Sequence, residues 1–319
     1  MKIVFLGTGA GLPSKQRNVS SLVLEMSQVR QASWMFDCGE ATQHQMLHTS
    51  IRPGKIEKIW VTHMHGDHIF GLPGFLSSRS FQGGESSPLT IYGPKGIKEY
   101  VETSLSLSGT HLSYPLHFVE IIEDGLLFED DQIMVFSKRL SHGVPCFGYR
   151  IEEKDRPGEL IPEKLKAIGI QPGPIYRQIK EQETIELDDG TILKQSEFVG
   201  PKKKGRIISI LGDTRFPFRQ QSFVENSDLL VHEATFSPDD VEIAHQYFHS
   251  TVKQAAELAS SSHVKRLLLN HISSRYVQDL EIQQLEKEAQ LIFPNSKVTY
   301  DFYEESIPIG RSEKHEECK

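Results

Sequence analysis

The first half of the chain alternates short apolar runs with amphipathic stretches, a pattern typical of strands and helices in turn. The apolar runs are rich in Val, Leu, Ile and Phe and are bounded by Gly, Pro or Ser, which predicts strands. They are KIVFLG (2–7), SSLVLEM (20–26), SWMFDCG (33–39), KIEKIWVTH (55–63) and LTIYGP (89–94). Helices are predicted at ATQHQMLHT (41–49), around GLPGFLSSRS (71–80) and from Gly96, and several antiparallel strands within 115–151.

The same alternation resumes after residue 204. Strands are predicted at GRIISILGDT (205–214), DLLVHEAT (228–235) and VKRLLLNH (264–271), and helices from Thr251 and over DLEIQQLEKEAQLIF (279–293). Thr251 and Gln254 match the T-x-x-Q pattern of a capping box. Two similar halves predict an α/β fold, a four-layer αββα sandwich with two sheets between outer helices, formed by residues 1–151 and 205–303. Composition alone leaves a doubly wound sheet as the alternative.

Residues 152–204 interrupt the pattern. This segment is charged, punctuated by Pro and Gly and poor in aromatic residues, so it predicts a protruding insertion that makes no core of its own. Residues 304–319 are polar and charged, and we expect them to be a disordered tail.

The bulk composition excludes some classes of protein. Hydrophobic residues make up 38% of the 319 residues and charged residues 24%, as in a globular protein with a sizeable core. No apolar run approaches the roughly 18 residues of a membrane span, and the apolar N-terminal stretch is too short for a signal peptide. Three distant cysteines without a CxxC pair predict a reduced, cytoplasmic protein. A net charge of −8 disfavours nucleic acid as a partner, although a local basic patch can still bind it.

The motif HxHxDH follows directly on an apolar strand. It consists of His63, His65, Asp67 and His68, four titratable side chains that must be solvated, hydrogen-bonded or bound to something. His63 and His65 lie two apart and face one side of an extended backbone. Asp67 and His68 point elsewhere, which suits a turn that serves two metal ions rather than one.

Three further strand ends carry a titratable residue. His142 follows QIMVFSKRL, Asp213 follows ISILG and His271 follows RLLLN. Imidazole and carboxylate together favour zinc. The sequence therefore predicts a site for two Zn²⁺ ions, although His/Asp sites also accept Mn²⁺ and other divalent ions.

HxHxDH followed by a spaced His, Asp and His resembles the metallo-β-lactamase superfamily. The resemblance implies two zinc ions per subunit, with the aspartate at 213 shared between them. It assigns one ion to His63, His65, His142 and Asp213, and the other to Asp67, His68, His271 and Asp213.

Three more stretches resemble the ribonuclease Z family, the tRNA 3′-processing endonucleases of this superfamily. They are GLPSKQRN (11–18), the HEAT motif in VHEATF (231–236) and the HST motif in FHST (248–251). The insertion resembles the flexible arm by which the family holds the tRNA elbow, with the tip GIQPGPIY (169–176). The resemblance implies an endoribonuclease that acts on precursor tRNA as a homodimer and leaves a 3′-hydroxyl.

Substrate-binding residues are predicted in two places. Lys15 and Arg17 bring two cations to an exposed turn, and Asn18 adds an amide able to read a base. Gly173 and Pro174 form the arm tip. The Lys202–Lys204 run is equally consistent with a solvated turn and with an RNA contact.

The resemblance also implies catalytic roles. Asp67 is expected to act as general base, and His249 to protonate the leaving oxygen while Glu233 orients it. His232 is expected to support the ligands rather than to bind the metal. Two alternatives remain open at this point: a dinuclear hydrolase of small thioesters, lactones or phosphodiesters, and a non-catalytic RNA-binding scaffold.

Overall fold

The first of two large sheets contains the N-terminal strands. In the computed structural model, which describes residues 1–27, 29–85, 87–187 and 189–309, its strand order is β18-β1-β3-β4-β5-β6-β7. Its strands are β1 Lys2–Gly7, β3 Ser21–Glu25, β4 Ser33–Phe36, β5 Ile56–Trp60, β6 Leu89–Pro94, β7 Leu116–Ile121 and β18 Glu304–Ser306. These bounds confirm the predicted strands of the first half to within a few residues.

The second sheet has the order β17-β15-β14-β13-β10-β9-β8. Its strands are β8 Gly125–Glu129, β9 Ile133–Arg139, β10 Phe147–Glu153, β13 Ile207–Ile210, β14 Leu229–Glu233, β15 Leu267–Asn270 and β17 Ser296–Val298. Two short strands, β2 Gly9–Ala10 and β16 Ile272–Ser273, pair in parallel beside these sheets. The several antiparallel strands expected within 115–151 are β8, β9 and β10. β7 differs, since it pairs in parallel with β6 in the first sheet.

Helices cover the outer faces of both sheets. They are α1 Thr42–Met46, α2 Gly66–Ile69, α3 Leu72–Arg79, α4 Ile97–Leu107, α8 Gln221–Val224, α9 Val241–Gln246, α10 Val252–Ser261 and α11 Asp279–Gln290, with 3-10 turns at Pro53–Lys55 and Pro238–Asp240. The Thr251 side chain accepts a hydrogen bond from Gln254 N, and the Gln254 side chain accepts one from Thr251 N, which confirms the capping box.

Alternate residues of the strands enter different cores. Ile3 and Phe5 of β1 pack in the cluster shared by the two sheets, whereas Val4 and Leu6 pack towards α3 and α4. A strand buried on both faces reads as a continuous apolar run, as KIVFLG does. The four-layer αββα sandwich is thereby confirmed, and the doubly wound alternative is excluded.

The insertion after β10 has a core of its own, contrary to expectation. Its elements are α5 Pro162–Ala167, α6 Pro174–Glu181, β11 Thr184–Glu186, β12 Ile192–Lys194 and α7 Gln195–Phe198. Five side chains form a separate buried cluster within it: Leu165, Ile179, Ile185, Leu193 and Phe198. The apolar residues are widely spaced among charges in the sequence, and only the folded hairpin and helices gather them.

Ion pairs fasten the root of the insertion. Arg206, fully buried, donates from Nε to Glu153 Oε2 at 2.7 Å. Lys203 pairs with Glu159 at 2.5 Å and Lys204 with Asp155 at 2.9 Å. Both lysines thus already have partners within the insertion, which favours the solvated turn over an RNA contact for this part of the lysine run.

The predicted tail is ordered over its first residues. β18 pairs with β1 in antiparallel register, with Ile3 opposite Glu305, and Ile307 is only 4% exposed. The prediction of disorder was therefore wrong for residues 304–309, since an edge strand needs only backbone groups and one apolar contact to dock. Residues 310–319 of the predicted tail lie outside the described residues.

Two of the three cysteines lie in the described part of the chain. Cys38 and Cys146 are buried free thiols, and Cys318 lies outside the described residues. Among the helices that the structure describes, none combines the length and apolar character needed to cross a bilayer.

Candidate active site

Seven donor side chains converge where strands of both sheets end. His63, His65, Asp67 and His68 follow β5 and enter α2. The other three come from the second sheet: His142 after β9, Asp213 after β13 and His271 after β15. All seven belong to overlapping groups whose ligand atoms lie within 4.8 Å of one another. The structure therefore brings together every residue predicted to bind metal.

The first group surrounds His65. His65 Nδ1 lies 3.1 Å from His63 Nε2 and 3.2 Å from His142 Nε2. Asp213 Oδ2 lies 3.6 Å from His63 Nε2. Ligands about 2.0–2.1 Å from a tetrahedral zinc stand roughly 3.3 Å apart, so this spacing fits one ion.

The second group surrounds His271. Its Nε2 atom lies 3.3 Å from His68 Nε2, 3.3 Å from Asp67 Oδ2 and 3.5 Å from Asp213 Oδ2. The same oxygen of Asp213 therefore faces both groups. A shared carboxylate is what a pair of neighbouring ions requires.

Four of the histidines present Nε2 to the site because an acceptor holds the opposite ring nitrogen. His68 Nδ1 donates to Asp37 Oδ2 at 2.7 Å, and His142 Nδ1 to the Phe248 carbonyl at 3.0 Å. His63 Nδ1 donates to Thr62 Oγ1, and His271 Nδ1 to Thr235 Oγ1, each at 3.0 Å. Such partners fix the tautomer and the ring orientation of metal-binding histidines. The donor chemistry thus fits a pair of zinc ions.

Asp37 contacts the site directly, and the sequence analysis missed it. It follows β4, as Asp213 follows β13, so the strand-end rule was a signal that could have found it. Its Oδ1 accepts from Thr62 N at 2.7 Å, and its Oδ2 accepts from Thr62 Oγ1 at 2.9 Å as well as from His68. Its backbone is left-handed, with φ at 56°, a strained conformation that these hydrogen bonds offset.

Replacing Asp37 with asparagine is expected to weaken metal binding by about 10- to 100-fold. Asparagine has one acceptor oxygen, and its amide would face donors, so His68 would lose its fixed orientation. Metal titration followed by inductively coupled plasma analysis measures the effect. Asp131→Asn, at an exposed turn, is the matched control. Unchanged metal affinity in Asp37→Asn would show that His68 needs no such support.

The carboxylates of the site are held ionised. Burial alone raises the pKa of Asp213, but His271, His68 and His63 around it hold that pKa well below its usual range. Burial likewise raises the pKa of Asp67, and His68 and His271 lower it by more. Two anionic carboxylates among imidazoles give the site the charge to hold cations.

His249 and Glu233 form a pair at the edge of the site. His249 also belongs to one of the groups of possible metal ligands, with Asp213 and His271. His249 Nδ1 lies 3.2 Å from Glu233 Oε1, and its ring is 17% exposed. Burial lowers the pKa of His249, but the Glu233 carboxylate outweighs it and raises that pKa to about 9. Glu233 is itself fixed, since it also accepts from Thr214 N, Ser250 N and Thr235 Oγ1. The predicted orientation of His249 by Glu233 therefore has its contact in the structure.

His232 points away from the donor groups. It is fully buried, its ring packs against Phe218, and its Nδ1 lies 2.5 Å from the carbonyl of Glu233. Neighbouring strand residues face opposite sides, so the His232 ring lies on the other side of β14 from the Glu233 side chain.

The loop of residues 11–18 differs in part from its prediction. Lys15 is exposed, as expected, and Asn18 is half-buried, with its amide donating to the Glu40 carbonyl at 2.8 Å. The expectation that Arg17 lies on an exposed turn was wrong. Its side chain is only 9% exposed and donates to Thr8 Oγ1 at 2.7 Å and to the Thr299 carbonyl at 2.6 Å. Gly173 and Pro174 lie exposed on the insertion, at the start of α6.

A cleft of about 310 Å³ gives access to the site. The residues that line it include Asp67, His249, His271, Gly11, Leu12 and Tyr247. The arrangement of ionised carboxylates, imidazoles and a protonated histidine at one cleft suits hydrolysis of an anionic ester.

Comparisons with known proteins agree with this chemistry. The chain is 57% identical over 311 residues to a ribonuclease Z of Bacillus cereus, an alignment that covers 98% of this chain and 100% of that protein. A family model described as Anti-Pycsar protein Apyc1 matches residues 1–117.

Solved structures share the architecture. The short form of human tRNase Z superposes with a TM-score of 0.70 at 29% identity, covering 97% of this chain and 100% of that one. The metallo-β-lactamase fold protein YhfI of Bacillus subtilis superposes with a TM-score of 0.65 at 18% identity, covering 95% and 97%. The two-sheet sandwich is thus the metallo-β-lactamase fold.

Proposed function

The chain belongs to the ribonuclease Z family and is a metal-dependent endoribonuclease that removes the 3′ trailer of precursor tRNA; on this premise we propose how its own residues divide the work. The observation that carries the proposal is the convergence of seven possible metal ligands, four of which line one cleft, beside the His249–Glu233 pair. We assign two zinc ions to these donors, with manganese as the other ion the site would accept.

Incubation of the purified protein with a 3′-extended precursor tRNA tests the function. We expect one cut at the end of the mature tRNA, a 3′-hydroxyl on the tRNA and a 5′-phosphate on the trailer, and no cut after treatment with a chelator. Restored cleavage on adding zinc or manganese identifies the metal. A precursor left intact by metal-loaded protein would refute the assignment.

We assign Asp67 to accept the proton of the attacking water. When bound, a pair of divalent cations supplies positive charge to the transition state and makes water acidic enough to attack at neutral pH. Asp67 lines the cleft, and one of its oxygens is held by Gly11 N at 2.8 Å. Its carboxylate is anionic at neutral pH and accepts the proton as water attacks the phosphorus.

We assign His249 to the leaving group of the reaction. Its raised pKa keeps the imidazole protonated at neutral pH, and its Nδ1 is bound to Glu233. The ring lines the cleft beside Asp67 and His271. We assign it to protonate the 3′-oxygen as the bond from phosphorus to that oxygen breaks, which leaves a 3′-hydroxyl on the tRNA and the phosphate on the trailer.

Replacing His249 with alanine is expected to lower kcat by about a hundredfold while metal content stays unchanged. Single-turnover cleavage with saturating enzyme measures the chemical step, and metal analysis of the same sample checks the site. His245→Ala, an exposed histidine in α9, is the matched control. Loss of bound metal in His249→Ala would show that this histidine supports metal binding instead of supplying the proton to the leaving oxygen.

Substrate contacts outside the cleft are assigned to two regions. Lys15 is exposed on the loop beside the cleft and is proposed to contact RNA phosphate, with the half-buried Asn18 next to it. The insertion is proposed to hold the tRNA elbow through its exposed tip at Gly173 and Pro174. Arg17 is not assigned to RNA binding because its guanidinium donates hydrogen bonds to Thr8 and to the Thr299 carbonyl.

Assembly and location complete the proposal. We propose a cytoplasmic homodimer, on the strength of the family resemblance and of the two buried free cysteines, Cys38 and Cys146. Light scattering of the purified protein with and without precursor tRNA measures the oligomeric state. A monomer in both samples would contradict the dimer.

A further inference from the structure

The first two residues of the 11–18 loop line the catalytic cleft. Gly11 N donates to Asp67 Oδ2 at 2.8 Å, and Leu12 lines the cleft while remaining 59% exposed. β2, just before the loop, pairs with β16, which follows directly on His271. Any displacement of this loop would therefore alter the space that an RNA strand occupies next to the reacting residues.

The other end of the loop is tied to a residue far away in the sequence, Asp301. Its Oδ1 accepts from Thr8 Oγ1 at 2.7 Å. Its Oδ2 accepts from the backbone N of Asn18 at 2.7 Å and from Gln45 Nε2 at 3.0 Å. One carboxylate thus accepts hydrogen bonds from three places: Thr8 before β2, Asn18 at the end of the loop, and Gln45 in α1.

Thr8 extends this anchor to the loop's buried arginine. Because its hydroxyl donates to Asp301, its oxygen is free to accept from Arg17 Nη1, at 2.7 Å. Arg17 also donates to the Thr299 carbonyl, two residues before Asp301. The chain segment 299–301 therefore holds both the backbone and the arginine of the loop.

We infer that Asp301 is a positioning residue for the endoribonuclease reaction: by fixing the 11–18 loop against the cleft, it determines which phosphodiester of the RNA meets the reacting groups. The inference rests on the proposed function and extends it to the choice of the bond that is cut. It requires a carboxylate, since every partner of Asp301 donates and an amide would offer a donor to another donor. The hydrogen bonds that the described residues make with Asp301 come from Thr8, Asn18 and Gln45, so its effect on the seven donor residues passes through the loop.

Two substitutions test the anchor from both ends. Asp301→Asn keeps the shape and removes one acceptor, and Thr8→Val keeps the shape and removes the hydroxyl. We expect both to raise the KM for precursor tRNA by about tenfold and to spread the cuts over neighbouring phosphates, with kcat within about threefold of the wild type. Thr8→Ser retains the hydroxyl and is expected to restore both the KM and the single cut.

The measurements are steady-state kinetics, mapping of the 3′ ends at nucleotide resolution, and metal content, all well below the melting temperature of each variant. Glu304→Gln, an exposed carboxylate three residues away, is the matched control. An unchanged KM and a single cut in Asp301→Asn would overturn the inference. A loss of bound metal together with a fall in kcat would overturn it as well, because Asp301 would then support the metal-binding residues and not the loop. Wild-type protein assayed in parallel tests the endoribonuclease activity itself, so its failure is distinguishable from failure of the anchor.

Discussion

Replacing Asp67 with alanine is expected to lower cleavage of precursor tRNA by at least about a thousandfold while leaving RNA binding intact. The carboxylate has two roles in the site. It lies beside His68 and His271 as a proposed metal ligand, and it is the anion assigned to accept the proton of water. Asp67 is tied to the loop that carries Lys15 only at its start, through Gly11 N, and the Asp301 contacts with Thr8 and Asn18 still hold that loop when Asp67 is replaced. Affinity for precursor tRNA should therefore remain within about threefold of the wild type.

Single-turnover cleavage and filter binding on the same preparations measure these two effects. Asp239→Ala, which removes an exposed carboxylate from the turn before α9, is the matched control. Metal analysis separates the two roles: a variant that keeps both ions but not turnover has lost the proton acceptor. Turnover retained in Asp67→Ala would remove this residue from the mechanism.

Removing the insertion is expected to abolish selection of tRNA without harming the chemistry. Gly158 and Gly200 approach so closely that a Cβ on Gly158 would lie 2.0 Å from the Gly200 carbonyl oxygen. Gly158 can therefore be joined directly to Gly200, which removes the whole separate core. We expect kcat/KM for precursor tRNA to fall by about a thousandfold, equivalent to about 4 kcal/mol of lost binding. Turnover of a chromogenic phosphodiester, bis(p-nitrophenyl) phosphate, should change by less than about twofold because the cleft residues are untouched.

The design of this deletion follows from the folded insertion. A cut at residues 160–190 would leave Leu193 and Phe198 without their partners Leu165 and Ile179 and would expose an apolar surface. The junction at Gly158 and Gly200 avoids that, and circular dichroism checks that the remaining sandwich is folded. Full activity of the shortened protein on precursor tRNA would mean that the insertion does not hold the substrate.

The positions of the donor residues could be predicted from sequence because they obey a local rule. His142, Asp213 and His271 each follow an apolar run, and strand ends that share an edge bring their side chains together. Asp37 follows the same rule but supports a ligand instead of being one. Its role depends on its 2.7 Å contact with His68, which is 31 residues away in the chain. Nothing in the local pattern separates a ligand from its support.

Other features were hidden because they depend on distant contacts. Arg17 stands in a polar stretch and is typical of an exposed turn, yet the Thr299 carbonyl that buries it is 282 residues away. The strand Glu304–Ser306 contains two glutamates and a serine, and it forms only because β1 offers an unpaired edge. The core of the insertion is likewise invisible locally, since Leu165 and Phe198 meet only after the hairpin forms.

The division of the donors between the two sheets has a consequence for the newly made protein. The HxHxDH residues belong to the first sheet, whereas His142, Asp213 and His271 belong to the second, and Asp301 comes later still. A chain that is still emerging from the ribosome lacks part of the donor set until His271 has been translated and β15 has docked. If these residues hold the metal ions as proposed, the nuclease gains activity only late in its own synthesis, after the messenger and the tRNA precursors around it have been exposed to an incomplete site.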